Sequence, residues 1–175
     1  APRVIEVDAL DFPGLGGGSF TDSSPEPVAN SATKTAYLQY TSGSTRLPAG
    51  VAMSHRNIMA NLDEVFSDYL EHVAGIDTRE LTVVSWAPFY HDMGMVVGIC
   101  VPLYTGCPAV LMSPVSFLQK PVRWLQHIDA NPNAYTAGPN FAYDLCVRKI
   151  SPEQRKTLDL STWKVAFNGA EPVRA

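Results

Sequence analysis

The 175-residue sequence predicts an α/β fold, a mainly parallel sheet with flanking helices. Two observations carry that expectation. From residue 81 onward, short apolar segments alternate with segments of helical period, the pattern of crossover connections between parallel strands. Residues 81–86 are apolar apart from Thr82 and Ser85, as suits a strand covered on both faces. A sheet of this kind collects ligands beyond the carboxyl ends of its strands. The segments around His91, Gly138 and Asn168 each follow a predicted strand directly, so they are expected to line one crevice.

Taken in order, residues 4–7 read as a strand end. Residues 9–34 turn to Gly, Pro, Ser and Asp, and such composition buries little surface. Residues 1–33 are therefore read as a strand end and linker, and residues 34–175 as the folded part. Residues 36–40 and 51–53 read as strands flanking a hydroxyl-rich loop, which is long enough to join antiparallel neighbours. Ser54 can cap a helix running to about Val73 and stopping at Gly75. Ile58, Leu62, Val65, Phe66, Tyr69 and Val73 give it one apolar face.

After the strand at 81–86, residues 95–104 are apolar all round. That suits a buried helix which kinks or ends at Pro102. Residues 109–112 read as a strand and 114–118 as a turn or short helix. Residues 121–130 read as a helix with Val122, Leu125 and Ile128 on one side. A strand at 134–137 precedes a helix at 139–150, with Phe141, Ala142, Leu145, Cys146 and Lys149 in successive turns. A charged surface helix at 152–157 and a last strand at 163–167 complete the pattern, which contains no internal repeat.

Composition narrows the function classes. A net charge of −4 gives no reason to expect a nucleic-acid partner. No apolar run reaches the length of a membrane span, and the amino end does not read as a secretory signal. A cytoplasmic protein is expected. Cys100, Cys107 and Cys146 lack metal-ligand spacing and read as reduced core residues.

Chemistry concentrates in three places. Residues 40–51, Tyr-Thr-Ser-Gly-Ser-Thr-Arg-Leu-Pro-Ala-Gly-Val, surround Gly43 with the hydroxyls of Thr41, Ser42, Ser44 and Thr45. Hydroxyls and exposed backbone N–H groups are what a chain offers a polyphosphate, although such a cluster also makes an ordinary loop. A Walker-type phosphate loop is excluded, because no Lys-Ser/Thr pair follows and the loop leads into a strand.

The second place is Pro88-Phe89-Tyr90-His91-Asp92-Met93-Gly94. A strand-terminal histidine is either a hydrogen-bonded structural residue or a participant in chemistry. His91 and Asp92 resemble a hydrolytic pair, but sequence neighbours are not expected to face each other, and no Gly-x-Ser-x-Gly elbow accompanies them. The third is Asn168-Gly169-Ala170-Glu171-Pro172, well suited to a turn from strand to helix. His55 and His72 read as surface or end-of-helix residues.

The first motif resembles the phosphate-binding signature of the adenylate-forming superfamily: acyl-CoA synthetases, luciferases and peptide-synthetase adenylation domains. That signature is Tyr-Thr-Ser-Gly-Ser/Thr-Thr-Gly-x-Pro-Lys-Gly-Val. Arg46 stands where the pattern has Gly, and Ala49 where it has Lys. The form Thr-Arg-x-Pro-Ala-Gly-Val is similar to the fatty acyl-AMP ligase branch, and so are the His91 and Asn168 motifs that follow in order. Ala137-Gly138-Pro139-Asn140-Phe141 resembles the same branch.

Over residues 34–175 the resemblance implies part of the large amino-terminal domain of an adenylate-forming enzyme. It implies that Thr41, Ser42, Gly43, Ser44 and Thr45 hold the phosphates of ATP, with Arg46 an electrostatic aid. His91 would order the carboxylate end of the acyl substrate. Asn168, Gly169, Ala170, Glu171 and Pro172 would contact adenine, while Gly138, Pro139, Asn140 and Phe141 would line the acyl pocket. No residue of the chain is assigned to a metal.

The implied reaction activates a fatty acid with ATP and Mg2+, releases pyrophosphate, and passes the acyl group to an acyl carrier protein or polyketide synthase. An acyl-CoA synthetase and a non-catalytic nucleotide-binding or scaffold domain are the alternatives. Several family groups, the lid lysine among them, do not occur here, so these residues alone are expected not to adenylate.

Overall fold

The computed structural model describes residues 32–40 and 49–173. The expected strand at residues 4–7, most of the linker, and the loop carrying Thr41, Ser42, Gly43, Ser44, Thr45 and Arg46 lie outside the described residues. What is described belongs to one compact unit, residues 32–175.

β1 (Thr35–Tyr40) and β2 (Gly50–Ser54) pair antiparallel, with Leu38 opposite Ala52 and Tyr40 opposite Gly50. α1 (His55–Leu62) opens where β2 ends. Asn57 N–H donates to Ser54 Oγ at 3.2 Å, and Ser54 N–H donates to Asn57 Oδ1 at 3.1 Å, a reciprocal cap for two otherwise free donors.

α1 continues as a π-helical stretch, Asp63–Val73, and the chain turns at Gly75 with φ +65°. Its buried stripe is Leu62, Phe66 and Leu70. Tyr69, expected on that stripe, is exposed. The cause is the wider π turn, whose i→i+5 bonds lengthen the repeat beyond the α period and bring Leu70 inward.

β3 (Thr82–Ser85), β4 (Ala109–Leu111), β5 (Ala134–Gly138) and β6 (Val165–Asn168) form one parallel sheet in the order β4-β3-β5-β6. The β3 strand explains its own apolar sequence. Val83 enters the core formed with Leu62, Phe66, Val97 and Val101, while Val84 enters the opposite core with Phe117, Trp124, Ile128 and Ala142. Tyr135 and Ala134 of β5 divide in the same way.

One long helical passage links β3 to β4: α2 (Asp92–Met95), a π turn (Val96–Cys100) and α3 (Val101–Thr105). Of the two outcomes expected at Pro102, a kink or an end, the end does not occur. Val101 N–H reaches back five residues to Val96 O, and this wide turn stands just before the proline, where the α ladder would lack a donor. Nor is the passage buried all round: Leu103 is 81% exposed.

α4 (Pro114–Gln119) and α5 (Val122–Asp129) join β4 to β5. α6 (Asn140–Lys149) and α7 (Pro152–Arg155) join β5 to β6. On α6, Ala142 and Cys146 are buried, but Phe141 is exposed. The three cysteines are free thiols; Cys107 and Cys146 are buried and Cys100 is half-buried.

The strand order places the site. From β3 the chain steps outward to β4 across the face that holds Val97 and Val101. It then returns past β3 to β5 and β6 across the other face, which holds Phe117, Trp124 and Ala142. Connections thus diverge from the carboxyl ends of β3 and β5 onto opposite faces. That divergence leaves a crevice beyond the sheet edge, the usual ligand position in open parallel sheets.

Candidate active site

One wall of the crevice comes from the exit of β3. The chain passes Trp86, turns at Pro88, and reaches His91, whose N–H donates to Pro88 O at 3.0 Å. Gly94 lets the start of α2 press onto that turn. A Cβ at Gly94 would lie 2.0 Å from Pro88 O and 2.8 Å from Ala87 O, so only a hydrogen fits.

His91 is the N-cap of α2, with its side chain 51% exposed. Its Nδ1 lies 2.6 Å from Asp92 Oδ1, so the two neighbours do face each other, against the sequence-based expectation. The reason is the free amide at the helix start, which draws both side chains to Met93 N–H. Asp92 Oδ1 accepts that N–H at 2.6 Å, and His91 Nδ1 lies 3.2 Å from it. Nε2 is the other ring nitrogen, and an imidazole nitrogen can meet a ligand as donor or acceptor.

The opposite wall comes from the exits of β5 and β6. Gly169 N–H donates to Gly138 O at 3.2 Å, and Asn168 Nδ2 donates to Asn140 Oδ1 at 3.1 Å. Phe141 N–H donates to Glu171 Oε1 at 2.6 Å. Ala170 is held at φ +67°, unusual for a residue with a Cβ and typical of positions that the surrounding structure constrains.

Between the walls lies a cleft of about 370 Å3, bordered by Trp86, Pro88, His91, Pro139, Phe141 and Glu171. Trp86 stacks on Phe117 at 4.1 Å and meets Phe141 edge-on at 5.9 Å, giving the cleft a rigid aromatic base. A second cleft of about 410 Å3 shares Met93 and Ala170 with the first. It runs along α2 and the following π turn, between Phe66, Val96, Val97, Tyr135 and Phe167, and is mainly apolar. The β1–β2 pair stands close by. The Tyr37 hydroxyl has a raised pKa, chiefly through burial, with contributions from Cys100 and Asp92.

The model of one protein family, described as AMP-binding enzyme, matches residues 3–175. The chain belongs to that family.

Among relatives, the long-chain-fatty-acid–AMP ligase FadD28 of Mycobacterium tuberculosis is 45% identical over 174 residues, covering 99% of this chain and 29% of the relative. A second M. tuberculosis protein, fadD25, provisionally named a fatty-acid–CoA ligase, is 46% identical over 177 residues with the same coverage. Among solved structures, the fatty acyl-adenylate ligase of L. pneumophila, in complex with acyl adenylate and pyrophosphate, superposes with a TM-score of 0.75. It is 45% identical, over 85% of this chain and 25% of that one. The chain thus spans less than a third of the curated relatives it matches.

In this member of the family, the His91, Gly138 and Asn168 segments meet at one cleft although they are far apart in sequence. The phosphate-loop residues Thr41 to Arg46 lie outside the described residues. Sequence reasoning did not assign a role to Trp86, Asp92 or Met93, and it did not foresee the apolar cleft. The run at residues 95–104 held the only signal for that cleft, and it was indistinguishable from core.

Proposed function

We propose that the intact protein is an ATP-dependent fatty acyl-AMP ligase. The observation that carries this reading is the pair of adjoining clefts, one bordered by His91 and Glu171 and the other mainly apolar, with Met93 and Ala170 common to both. Such a pair suits a molecule with an ionic head and an alkyl tail. Val96, Val97 and Phe66 would flank the tail, with the acid's carboxylate near His91. Pro139 and Phe141 border the head-group cleft, so their part in acyl binding is at its mouth.

In the proposed reaction a carboxylate oxygen attacks the α-phosphorus of ATP. A new O–P bond forms, the bond to the pyrophosphate leaving group breaks, and acyl-adenylate results. The chain's contribution is positioning and charge stabilisation. Thr41, Ser42, Gly43, Ser44, Thr45 and Arg46 would hold the phosphates, and residues 168–172 would carry the adenine. Among the described residues no group of His, Cys, Asp or Glu comes together to hold a metal. Mg2+ enters this reading as the counter-ion of ATP, and no step is assigned to it.

An acyl carrier protein or polyketide synthase is the proposed acceptor. Arg46, Ala49 and Asn168, the positions where the motifs take the acyl-AMP ligase form, support it. The test is acid-dependent pyrophosphate release by the intact protein with ATP and a long-chain fatty acid, and detection of acyl-AMP by mass spectrometry. The adenylate is then offered a phosphopantetheinylated carrier protein or free coenzyme A. Accumulation of acyl-AMP and transfer to the carrier is the expected result. Robust acyl-CoA formation would assign the protein to the synthetases, and no acid-dependent release would overturn the enzymatic reading.

A further inference from the structure

The family resemblance sets Glu171 against adenine, but the structure engages its carboxylate elsewhere. α6 begins after Pro139, whose ring has no acceptor for the free N–H groups of the first turn. Ala142 N–H finds Pro139 O at 2.9 Å. Phe141 N–H is taken by Glu171 Oε1 at 2.6 Å, from 30 positions along the chain. A carboxylate here satisfies an orphan donor and also meets the positive end of the helix dipole.

This bond completes a seam. Tyr143 OH donates to Phe167 O at 2.6 Å, Asn168 Nδ2 to Asn140 Oδ1 at 3.1 Å, and Gly169 N–H to Gly138 O at 3.2 Å. The Glu171 bond is the one farthest along the segment, beyond the left-handed turn at Ala170. It joins the two residues, Phe141 and Glu171, that border the same cleft from different elements.

We infer that Glu171 is a positioning residue: it caps α6 from the loop after β6, and so fixes the shape in which residues 168–172 meet the nucleotide. The inference rests on the adenylation reading for the word nucleotide, but the cap itself does not. A carboxamide keeps an oxygen acceptor for Phe141 N–H and loses the charge. Glu171→Gln should therefore keep the cap, whereas Glu171→Ala should lose it.

Two measurements on the intact protein decide it. Amide hydrogen exchange at Phe141 should speed up about tenfold or more in Glu171→Ala and return close to the parent rate in Glu171→Gln. The KM for ATP in adenylate formation should rise about tenfold in Glu171→Ala, with kcat changed less, and recover in Glu171→Gln. Unchanged exchange in Glu171→Ala would overturn the cap. A Glu171→Gln protein as impaired as Glu171→Ala would show that the charge itself meets substrate, and would overturn the positioning role. A parent protein that makes no acyl-AMP would defeat the proposed reaction and the nucleotide half of the inference, while exchange still decides the cap.

Discussion

His91 occupies a position where its backbone is determined independently of its side chain. Its N–H is held by Pro88 O, and the adjacent contact at Gly94 admits no Cβ. The amide it could cap, Met93 N–H, is already served by Asp92 at 2.6 Å. Removing a half-exposed imidazole should therefore cost little stability. His91→Ala is expected to slow adenylate formation ten- to a thousandfold, about 1.4–4 kcal/mol of barrier, with almost no change in Tm. A variant that melts several degrees lower yet turns over normally would make His91 structural. At this scale the motif order, written in the sequence, pointed to segments that the fold does bring to one cleft. The His91–Asp92 contact was not legible, since it depends on where the free amides of a helix start happen to point.

At the scale of elements, periodicity located most of the strands and helices, and it misassigned side chains where the period changed or where an element was covered from more than one side. The π-helical stretch after α1 replaced Tyr69 by Leu70 in the core. On α5, Val122, Leu125 and Ile128 fit one stripe, yet Trp124 is fully buried alongside Ile128 while Leu125 is only partly buried. It meets Phe117 edge-on at 5.6 Å, Trp163 at 5.9 Å, and Tyr143 at 5.5 Å, so neighbours surround it beyond the single face that a period describes. It also lies edge-on to Trp86, 6.3 Å away, under the cleft. Trp124→Ala should cost about 3–5 kcal/mol by transfer and cavity terms. Chemical denaturation of the intact protein measures it. A loss below about 1 kcal/mol would mean that this aromatic cluster is not an essential part of the core.

At the scale of the molecule, parallel pairing was predictable from alternation, but the order β4-β3-β5-β6 was not, because nothing local tells a strand which neighbour to choose. That order buries ionisable groups on both faces of the sheet. Burial pushes the Cys146 thiol up from 9.0 to about 11 and the Tyr143 hydroxyl up from 10.0 to about 12, and it raises Tyr135 on the opposite face as well. Each group is neutral in the fold and free to ionise once the chain unfolds. The unfolded state then binds fewer protons than the folded one above the ordinary thiol pKa, so stability falls as pH rises. The contribution is complete below about pH 9 and is lost through the folded values near 11 and 12. Tm measured from pH 8 to 11 on the intact protein should be flat at first and then decline, with the thiols, buried Cys146 and half-buried Cys100, acting before the tyrosines. Cys146→Ala should flatten the part of the curve between pH 9 and 10, before the tyrosines contribute. An identical slope in parent and variant would show that the thiol is not held neutral by the core.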